Sequence, residues 1–183
     1  MSRQSALGLV LAQVFVALTM SAPCAHAQTE GDIAGLWYTE GQQSRIEIRQ
    51  DAATKKFDGA IVWLKEPLVA EGEDAGKPKR DIHNPDPEHQ QDPIVGLKLL
   101  KGFTHDSESK TWSGGTIYDP ESGKTYKCTI KLGENGELSV RGYIGIPSFG
   151  RTTTWTRVPK EEIEKEKPAD SDSAAASDTV ARS

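Results

Sequence analysis

The segment richest in side chains that can do chemistry is RDIHNPDPEHQQD, residues 80–92. Its carboxylates and imidazoles are those of Asp81, Asp86, Glu88, Asp92, His83 and His89. Imidazole nitrogens suit zinc and carboxylates alone suit calcium, but the spacing forms neither a His-x-x-x-His pair nor an EF-hand loop. The prolines favour instead a solvated loop in which Asp81, Asn84 and Asp86 cap turns. We therefore predict no metal ion and no cofactor here, and we retain those three capping residues as candidate contacts for a ligand.

No arrangement of nucleophiles in the sequence forms a catalytic motif. Cys128 alternates with apolar residues in TYKCTIKL, a pattern typical of an inert thiol in a core. Serine, histidine and aspartate all occur, but neither a nucleophile-elbow sequence nor a comparable spacing connects them. The sequence thus assigns no catalytic residue and favours a non-enzymatic role, while enzymatic activity stays open.

Alternation of apolar and polar residues dominates the chain from residue 36 to residue 157. In TYKCTIKL, one face carries Tyr126, Cys128, Ile130 and Leu132, and a period of two indicates a strand. Turn sequences such as DPESG and GENG separate the strands. The predicted strands are 36–40, 44–50, 57–64, 97–104, 111–118, 124–132, 137–145 and 151–157. Eight short strands in sequence order predict an all-β domain, a single eight-stranded antiparallel up-and-down barrel, with a two-sheet sandwich as the alternative.

The order of the strands divides the turns between the two ends of the barrel. One end, which we call the mouth, carries the turns at 41–43, 65–96, 119–123 and 146–150. The other, the closed end, carries both chain ends of the sheet and the turns at 51–56, 105–110 and 133–136. The long 65–96 loop is rich in charge and proline, and loops of this length often form lids or binding loops. The mouth is therefore the expected working surface.

Polar side chains flank the mouth turns. Besides Asp81, Asn84 and Asp86, the candidate ligand contacts are Tyr118, Asp119, Lys124, Tyr143 and Arg151. An arginine in this place can hold an anionic group by a bidentate contact. Glycines on both sides of Tyr143 permit a bulge, so the sequence leaves open whether that side chain faces inward. Four large aromatic residues are candidates for filling the barrel interior: Trp63, Phe103, Trp112 and Phe149.

GLW at residues 35–37 and the arginine that ends the last strand resemble the closure of lipocalins and other calycins. The resemblance implies that Trp37 packs beneath Arg157, where the last strand pairs with the first. A guanidinium stacked on an indole ring is a cation–π contact, which is stronger when desolvated. The barrel is thus expected to be calycin-like, with these two residues as its structural closure.

A second resemblance covers nearly the whole predicted domain. It rests on the order and spacing of GLWYTE, GAIVWLKEPL, NPDP, GLKLLKGF, WSGGTIYDPESGKTYKC, LSVRGYIG and FGRTTTWTR. These strings resemble the bacterial exported family known as domain of unknown function 2147. The resemblance implies a small exported β-barrel and no established activity. Family members often carry two cysteines around the turn before the third strand, whereas this chain has Gln50 and Asp58 there, so neither that disulfide nor a redox role carries over.

Both ends of the sequence differ in composition from the barrel. A positively charged start, an uncharged apolar run and the small-x-small sequence AHA make residues 1–27 a predicted signal peptide. The barrel domain is expected over residues 28–158. Residues 159–183 are charged and then rich in serine and alanine, which predicts a disordered tail in which residues 160–167 can form a short exposed helix. The protein is thus expected in the periplasm or outside the cell.

Charge and composition narrow the classes of function. The chain has a formal net charge of −5 at pH 7, which opposes nucleic-acid binding, and its apolar run is too short to span a membrane. We expect a monomeric exported barrel that holds a small amphipathic or anionic ligand at its mouth. The alternative is a packed-core module that binds an envelope protein or a cell-wall component through its loops, with KPKR at residues 77–80 among them.

Overall fold

The computed structural model describes residues 33–166 of the chain. Eight antiparallel strands form one closed barrel, in which each strand pairs with the next and the last pairs with the first. The strands are β1 (Gly35–Tyr38), β2 (Ser44–Gln50), β3 (Phe57–Leu64), β4 (Lys98–Asp106), β5 (Thr111–Asp119), β6 (Lys124–Leu132), β7 (Leu138–Tyr143) and β8 (Gly150–Arg157). Helix α1 (Lys160–Glu166) follows the barrel. The predicted up-and-down barrel is confirmed, and the sandwich alternative is wrong.

The ends of the chain are described only in part. The predicted signal peptide, residues 1–27, lies outside the described residues, as do residues 167–183 of the predicted tail. Helix α1 occupies the place where the sequence allows a short helix at the start of that tail. No helix within residues 33–166 has the length and apolar character needed to cross a membrane.

Alternation along the strands directs one row of side chains into the barrel. On β2, Ile46 and Ile48 are buried, and on β6, Cys128 and Ile130 are buried. Large inward side chains near the closed end complete this core: Trp37, Phe57, Phe103, Trp112 and Leu138. Because removal of apolar surface from water is the main favourable term in folding, this packed end of the barrel supplies much of the stability of the domain.

Strand β8 closes the barrel against β1, with Trp37 opposite Arg157. The Trp37 side chain is fully buried, and its indole N–H donates to the Ile33 carbonyl at 2.7 Å. The Arg157 guanidinium carbon lies 4.2 Å from the centroid of the Trp37 ring, which is the contact that the calycin resemblance implies. Gly35 makes room for it, since a Cβ at that residue would lie 2.9 Å from Arg157 Nη1.

The four aromatic residues predicted to fill the interior divide between inside and outside. Phe103 and Trp112 are buried in the core. A register shift directly after Arg45 places Trp63 opposite Arg45 on the outer wall, where the guanidinium carbon lies 4.8 Å from the centroid of the Trp63 ring. Phe149 lies in a mouth turn and is 78% exposed. The prediction is therefore wrong for Trp63, because a bulge reverses the alternation, and for Phe149, because a turn carries it away from the barrel axis.

Helix α1 packs against the outer wall of β1 and β2. Glu162 accepts a hydrogen bond from the Tyr38 hydroxyl at 2.6 Å and one from the Arg45 guanidinium at 3.3 Å. The Arg45 guanidinium carbon also lies 4.9 Å from the centroid of the Tyr38 ring. Arg45 is therefore enclosed by Tyr38, Trp63 and Glu162, which holds the segment after β8 against the barrel.

Candidate functional site

The barrel interior opens at the mouth into a cavity of about 1400 Å³. Its inner wall is apolar and includes Ile61, Leu64, Ile117, Val140 and Trp155. Charged and polar side chains of the mouth turns surround its opening. An apolar interior below a polar rim is the usual form of a site for a small organic molecule.

Gly142 widens this cavity on the β7 side. It occupies the inward row of β7 two residues after Val140, and a Cβ at Gly142 would lie 3.4 Å from Ile117 Cγ2 and 3.7 Å from Tyr126 Cβ. Those are ordinary contact distances, so a larger side chain at this position would project into the cavity without meeting the backbone. The missing side chain therefore contributes directly to the open volume.

The long loop between β3 and β4 forms one side of the mouth and is fastened by backbone hydrogen bonds. The Val69 N–H donates to the Lys77 carbonyl at 2.9 Å, and the Ile94 N–H donates to the Lys79 carbonyl at 3.0 Å. The Ile94 side chain is buried and packs against the barrel core. These contacts attach the loop to the barrel, and the loop forms one wall of the cavity.

Asp81 fastens the same loop to β5. Its side chain is fully buried and accepts hydrogen bonds from the Tyr118 hydroxyl at 2.7 Å and from the Asn84 amide at 2.7 Å. Its backbone N–H donates to the Asp92 carbonyl at 2.9 Å. Because both carboxylate oxygens are occupied by groups of the protein itself, Asp81 positions the loop rather than facing the cavity.

The ligand contacts suggested by the sequence fall into two groups. The cavity is lined by Tyr118, Asp119, Tyr143 and Arg151. The residues that do not line it are Asp81, Asn84, Asp86 and Lys124. The regular pairing of β7 with β8 settles the open question of Tyr143, which lies on the outward row of β7 and meets the cavity only where that strand ends. Sequence reasoning placed Tyr126 on the inward face of β6 but did not name it, or Gly142 on β7, as a residue of the cavity.

The loop residues outside the cavity satisfy one another. The Asn84 side-chain oxygen accepts from the Asp86 N–H at 2.9 Å, and the Asp86 carboxylate accepts from the Glu88 N–H at 3.0 Å. The His89 ring contacts the Asp92 carboxylate at 2.7 Å. In the described part of the chain, no group of three or more histidine, cysteine or carboxylate side chains is arranged to hold a metal ion. These residues therefore cap turns of the loop.

The polar side chains at the rim differ in how freely they can meet a ligand. The Asp119 carboxylate accepts from the Glu121 N–H at 3.1 Å and from the Ser122 hydroxyl at 2.6 Å, so it is engaged in its own turn. The Arg151 side chain is 85% exposed, and its Nη2 lies 3.7 Å from Glu40 Oε2. An exposed pair at that distance contributes little to stability, which leaves Arg151 and Glu40 available to a polar group of a ligand.

Comparison with known proteins identifies the family of this barrel. Residues 35–157 match the model of a family described as "Uncharacterized protein conserved in bacteria (DUF2147)". The chain belongs to this family. No curated protein matches the sequence.

Among solved structures, this DUF2147 protein is similar to protein HP1028 from the human pathogen Helicobacter pylori, which is described as belonging to the lipocalin family. The two chains are 24% identical, with a TM-score of 0.61, over 73% of this chain and 88% of that chain. At this identity the likeness concerns the fold, and it agrees with the calycin-like closure at Trp37.

The cysteine of the DUF2147 barrel is chemically protected. Cys128 is 1% exposed, and burial raises the pKa of its thiol to about 12. Since the thiolate is the reactive form of cysteine, the buried thiol is inert near neutral pH.

The contact between Tyr118 and Asp81 predicts a loss of stability in alkali. Burial, and then the hydrogen bond to Asp81, raise the pKa of Tyr118 from its ordinary 10.0 to about 12. Between these two values the unfolded chain releases the tyrosine proton while the folded protein retains it, so the free energy of unfolding falls as the pH rises. We expect the Tyr118→Phe variant to be less stable than the wild type near neutral pH but to lose less stability across this interval. Urea denaturation at a series of pH values gives the free energy of unfolding of each protein as a function of pH. The same decrease per pH unit in the wild type and in Tyr118→Phe would contradict the prediction.

Proposed function

We propose that this protein is an exported, non-enzymatic binding protein that holds a small amphipathic ligand in its mouth cavity. The observation that carries the proposal is the apolar wall formed by Ile61, Ile117, Val140 and Trp155 beneath a charged rim. Burial of an apolar tail against that wall supplies the favourable free energy, at about 25 cal/mol per Å² of apolar surface removed from water. The rim supplies partners for a polar head.

Export is part of the proposal and is supported by residues 1–27, whose charged start, apolar run and AHA sequence have the form of a cleaved signal. Every strand of the described residues, 33–166, lies within residues 35–157. The chain that would remain after cleavage, residues 28–183, therefore contains the whole barrel, and it is the protein used in the experiments below.

The charge at the rim favours an amphipathic ligand over a small anion. The carboxylates that line the cavity are those of Glu40, Glu66, Glu71, Glu73, Asp74, Asp119 and Glu121. The lysines and arginines that line it are Lys77, Lys79, Arg80 and Arg151. Because carboxylates predominate, a free anion would be repelled at the rim, whereas an apolar tail carrying an uncharged or cationic head would not.

The Gly142→Leu variant tests the proposal. We expect the wild-type protein to bind the uncharged fluorescent naphthylamine N-phenyl-1-naphthylamine, with an increase in probe fluorescence. Leucine at residue 142 fills the space beside Ile117 and Tyr126. Because the leucine side chain and the probe cannot occupy the same space, we expect the variant to bind the probe about tenfold more weakly or worse. Fluorescence titration gives the dissociation constants, and thermal unfolding checks that the variant is folded.

The matched control is Thr154→Leu, which places the same side chain on the outward row of the neighbouring strand β8. We expect the control to bind the probe like the wild type. If both variants bind as the wild type does, the probe does not occupy the mouth cavity. If the wild type itself does not bind the probe, the proposal fails and the alternative, recognition of an envelope protein or cell-wall component through the loops, becomes the better hypothesis.

A further inference from the structure

The outer wall formed by β6, β7 and β8 is basic although the chain as a whole is acidic. None of the residues in these three strands is aspartate or glutamate, whereas the chain has a formal net charge of −5. The outward rows of these strands contain threonine, serine and tyrosine together with Lys127, Lys131 and Arg141. Lys101 lies on β4, two strands away from Lys127 and in the same lateral row. We call the group formed by Lys101, Lys127, Lys131 and Arg141 the basic wall.

The charges of the basic wall lie close together and are not neutralised by the protein. Lys101 and Lys127 both pair with Thr116 across β5, so their backbones are roughly 10 Å apart. Arg141 pairs with Thr129, the outward residue between Lys127 and Lys131. Within the described residues, none of the three lysines forms an ion pair. A cluster of positive charges on one face attracts a negatively charged surface.

Exposed apolar side chains border the basic wall at the mouth. The turn that joins β7 to β8 presents Ile144, Ile146 and Phe149, which are 67%, 57% and 78% exposed. The first of them directly follows Tyr143, the residue that pairs with Lys127. Three large apolar residues in one exposed turn are unusual on a monomeric domain and indicate a contact surface.

Arg141 forms hydrogen bonds to this apolar turn and to the start of β8. Its guanidinium donates to the Pro147 carbonyl at 2.8 Å, to the Thr152 hydroxyl at 2.7 Å and to the Ser148 carbonyl at 3.4 Å. These hydrogen bonds favour the conformation in which the turn presents its apolar side chains, which lowers the entropic cost of binding.

We propose that the basic wall and the 144–149 turn dock this protein onto the surface of an anionic lipid bilayer. Apolar side chains that enter the headgroup region beside lysines that face lipid phosphates are the combination by which peripheral proteins bind membranes. A row of separate lysines among threonines, without a pocket between them, matches a diffuse negative surface better than one discrete anion.

Sedimentation with vesicles tests the proposal, using residues 28–183. We expect the protein to bind vesicles that contain phosphatidylglycerol, to bind vesicles of phosphatidylcholine alone weakly, and to lose binding as the salt concentration rises. The combined substitutions Lys101→Gln, Lys127→Gln and Lys131→Gln are expected to weaken binding about fivefold for each lysine removed. Phe149→Ser is expected to weaken it about tenfold through lost apolar burial.

The matched control carries Lys55→Gln, Lys56→Gln and Lys110→Gln, which make the same charge change in exposed turns of the closed end. We expect this control to bind almost as the wild type does. Equal weakening by both triple variants would overturn the proposal, because net charge rather than the basic wall would then govern binding. Absence of binding to phosphatidylglycerol vesicles would also overturn it, as would a dimer in solution that Phe149→Ser dissociates, since the turn would then contact a second copy. Gly142→Leu should bind vesicles like the wild type, so failure of the ligand proposal is distinguishable from failure of this one.

Discussion

Replacing Trp37 by alanine is expected to lower the free energy of unfolding by about 4 kcal/mol. The indole is fully buried, so the smaller side chain leaves a cavity at the junction of β1 and β8. The change also removes the hydrogen bond to the Ile33 carbonyl and the ring on which the Arg157 guanidinium lies. Urea denaturation followed by far-ultraviolet circular dichroism measures the loss from the midpoint and slope of the transition.

Trp63→Ala is the matched control, because it removes the same side chain from the outer wall. Trp63 contacts Arg45 and Tyr38 but lies outside the core. We expect a loss of about 1–2 kcal/mol, from the cation–π contact and partial burial. Equal losses for the two variants would show that the closure contributes no more than the outer wall does, contrary to the role assigned to Trp37.

Asp81→Ala is expected to cost about 3 kcal/mol and to release the long loop from the barrel. Removal of the carboxylate leaves the Tyr118 hydroxyl and the Asn84 amide without their acceptor in a buried place. Trypsin should then cleave faster after Lys79 and Arg80 in the neighbouring segment, while the barrel strands stay resistant. Denaturation in urea measures the stability, and mass spectrometry of a timed digest locates the cleavage.

Asp86→Ala makes the same chemical change five residues later, where the carboxylate caps an exposed turn. We expect a loss of about 1 kcal/mol, the usual contribution of a cap, and no faster digestion. Should trypsin cut the Asp81→Ala variant no faster than the wild type, Asp81 would not be what holds the loop.

The parts of this fold that depend on local alternation could be predicted from the sequence. In strands such as TYKCTIKL, the alternation of apolar and polar residues indicates which side chains face inward. Eight such strands in sequence order favour a closed barrel or a sandwich. The order of the strands favours the barrel, which leaves no exposed edges, and the resemblance of Trp37 and Arg157 to a calycin closure agrees with it. The positions of the mouth and the closed end then followed from strand order alone.

Features that depend on contacts between distant segments could not be predicted. The outward position of Trp63 results from a register shift between β2 and β3, and no local pattern reports how two strands align. Asp81 lies in a charged loop and has the composition of a solvated residue, yet it is buried because it meets Tyr118 on β5. Ile94 similarly enters the core from within that loop.

The position of the candidate site at the mouth could be predicted from the sequence, but only some of the residues that line it could be. Arg151 and Tyr118 could be placed at the mouth from their positions beside turns, and both line the cavity. Gly142 could not be recognised as the residue that opens the cavity, because a glycine near a strand end is equally consistent with a bulge. Its role becomes visible only when Ile117 and Tyr126 are seen to face it.

The pairing of β8 with β1 also limits how another macromolecule can engage this protein. In the barrel formed by residues 35–157, every strand has a hydrogen-bonded neighbour on both sides. Where β1 and β8 pair, at Trp37 with Arg157 and at Tyr38 with Thr156, an extended peptide therefore has no free backbone against which to add as a further strand, which is the way many β-domains capture peptides and the way exposed sheet edges aggregate. Recognition at this junction has to proceed through the side chains that project from the outer surface of the two strands.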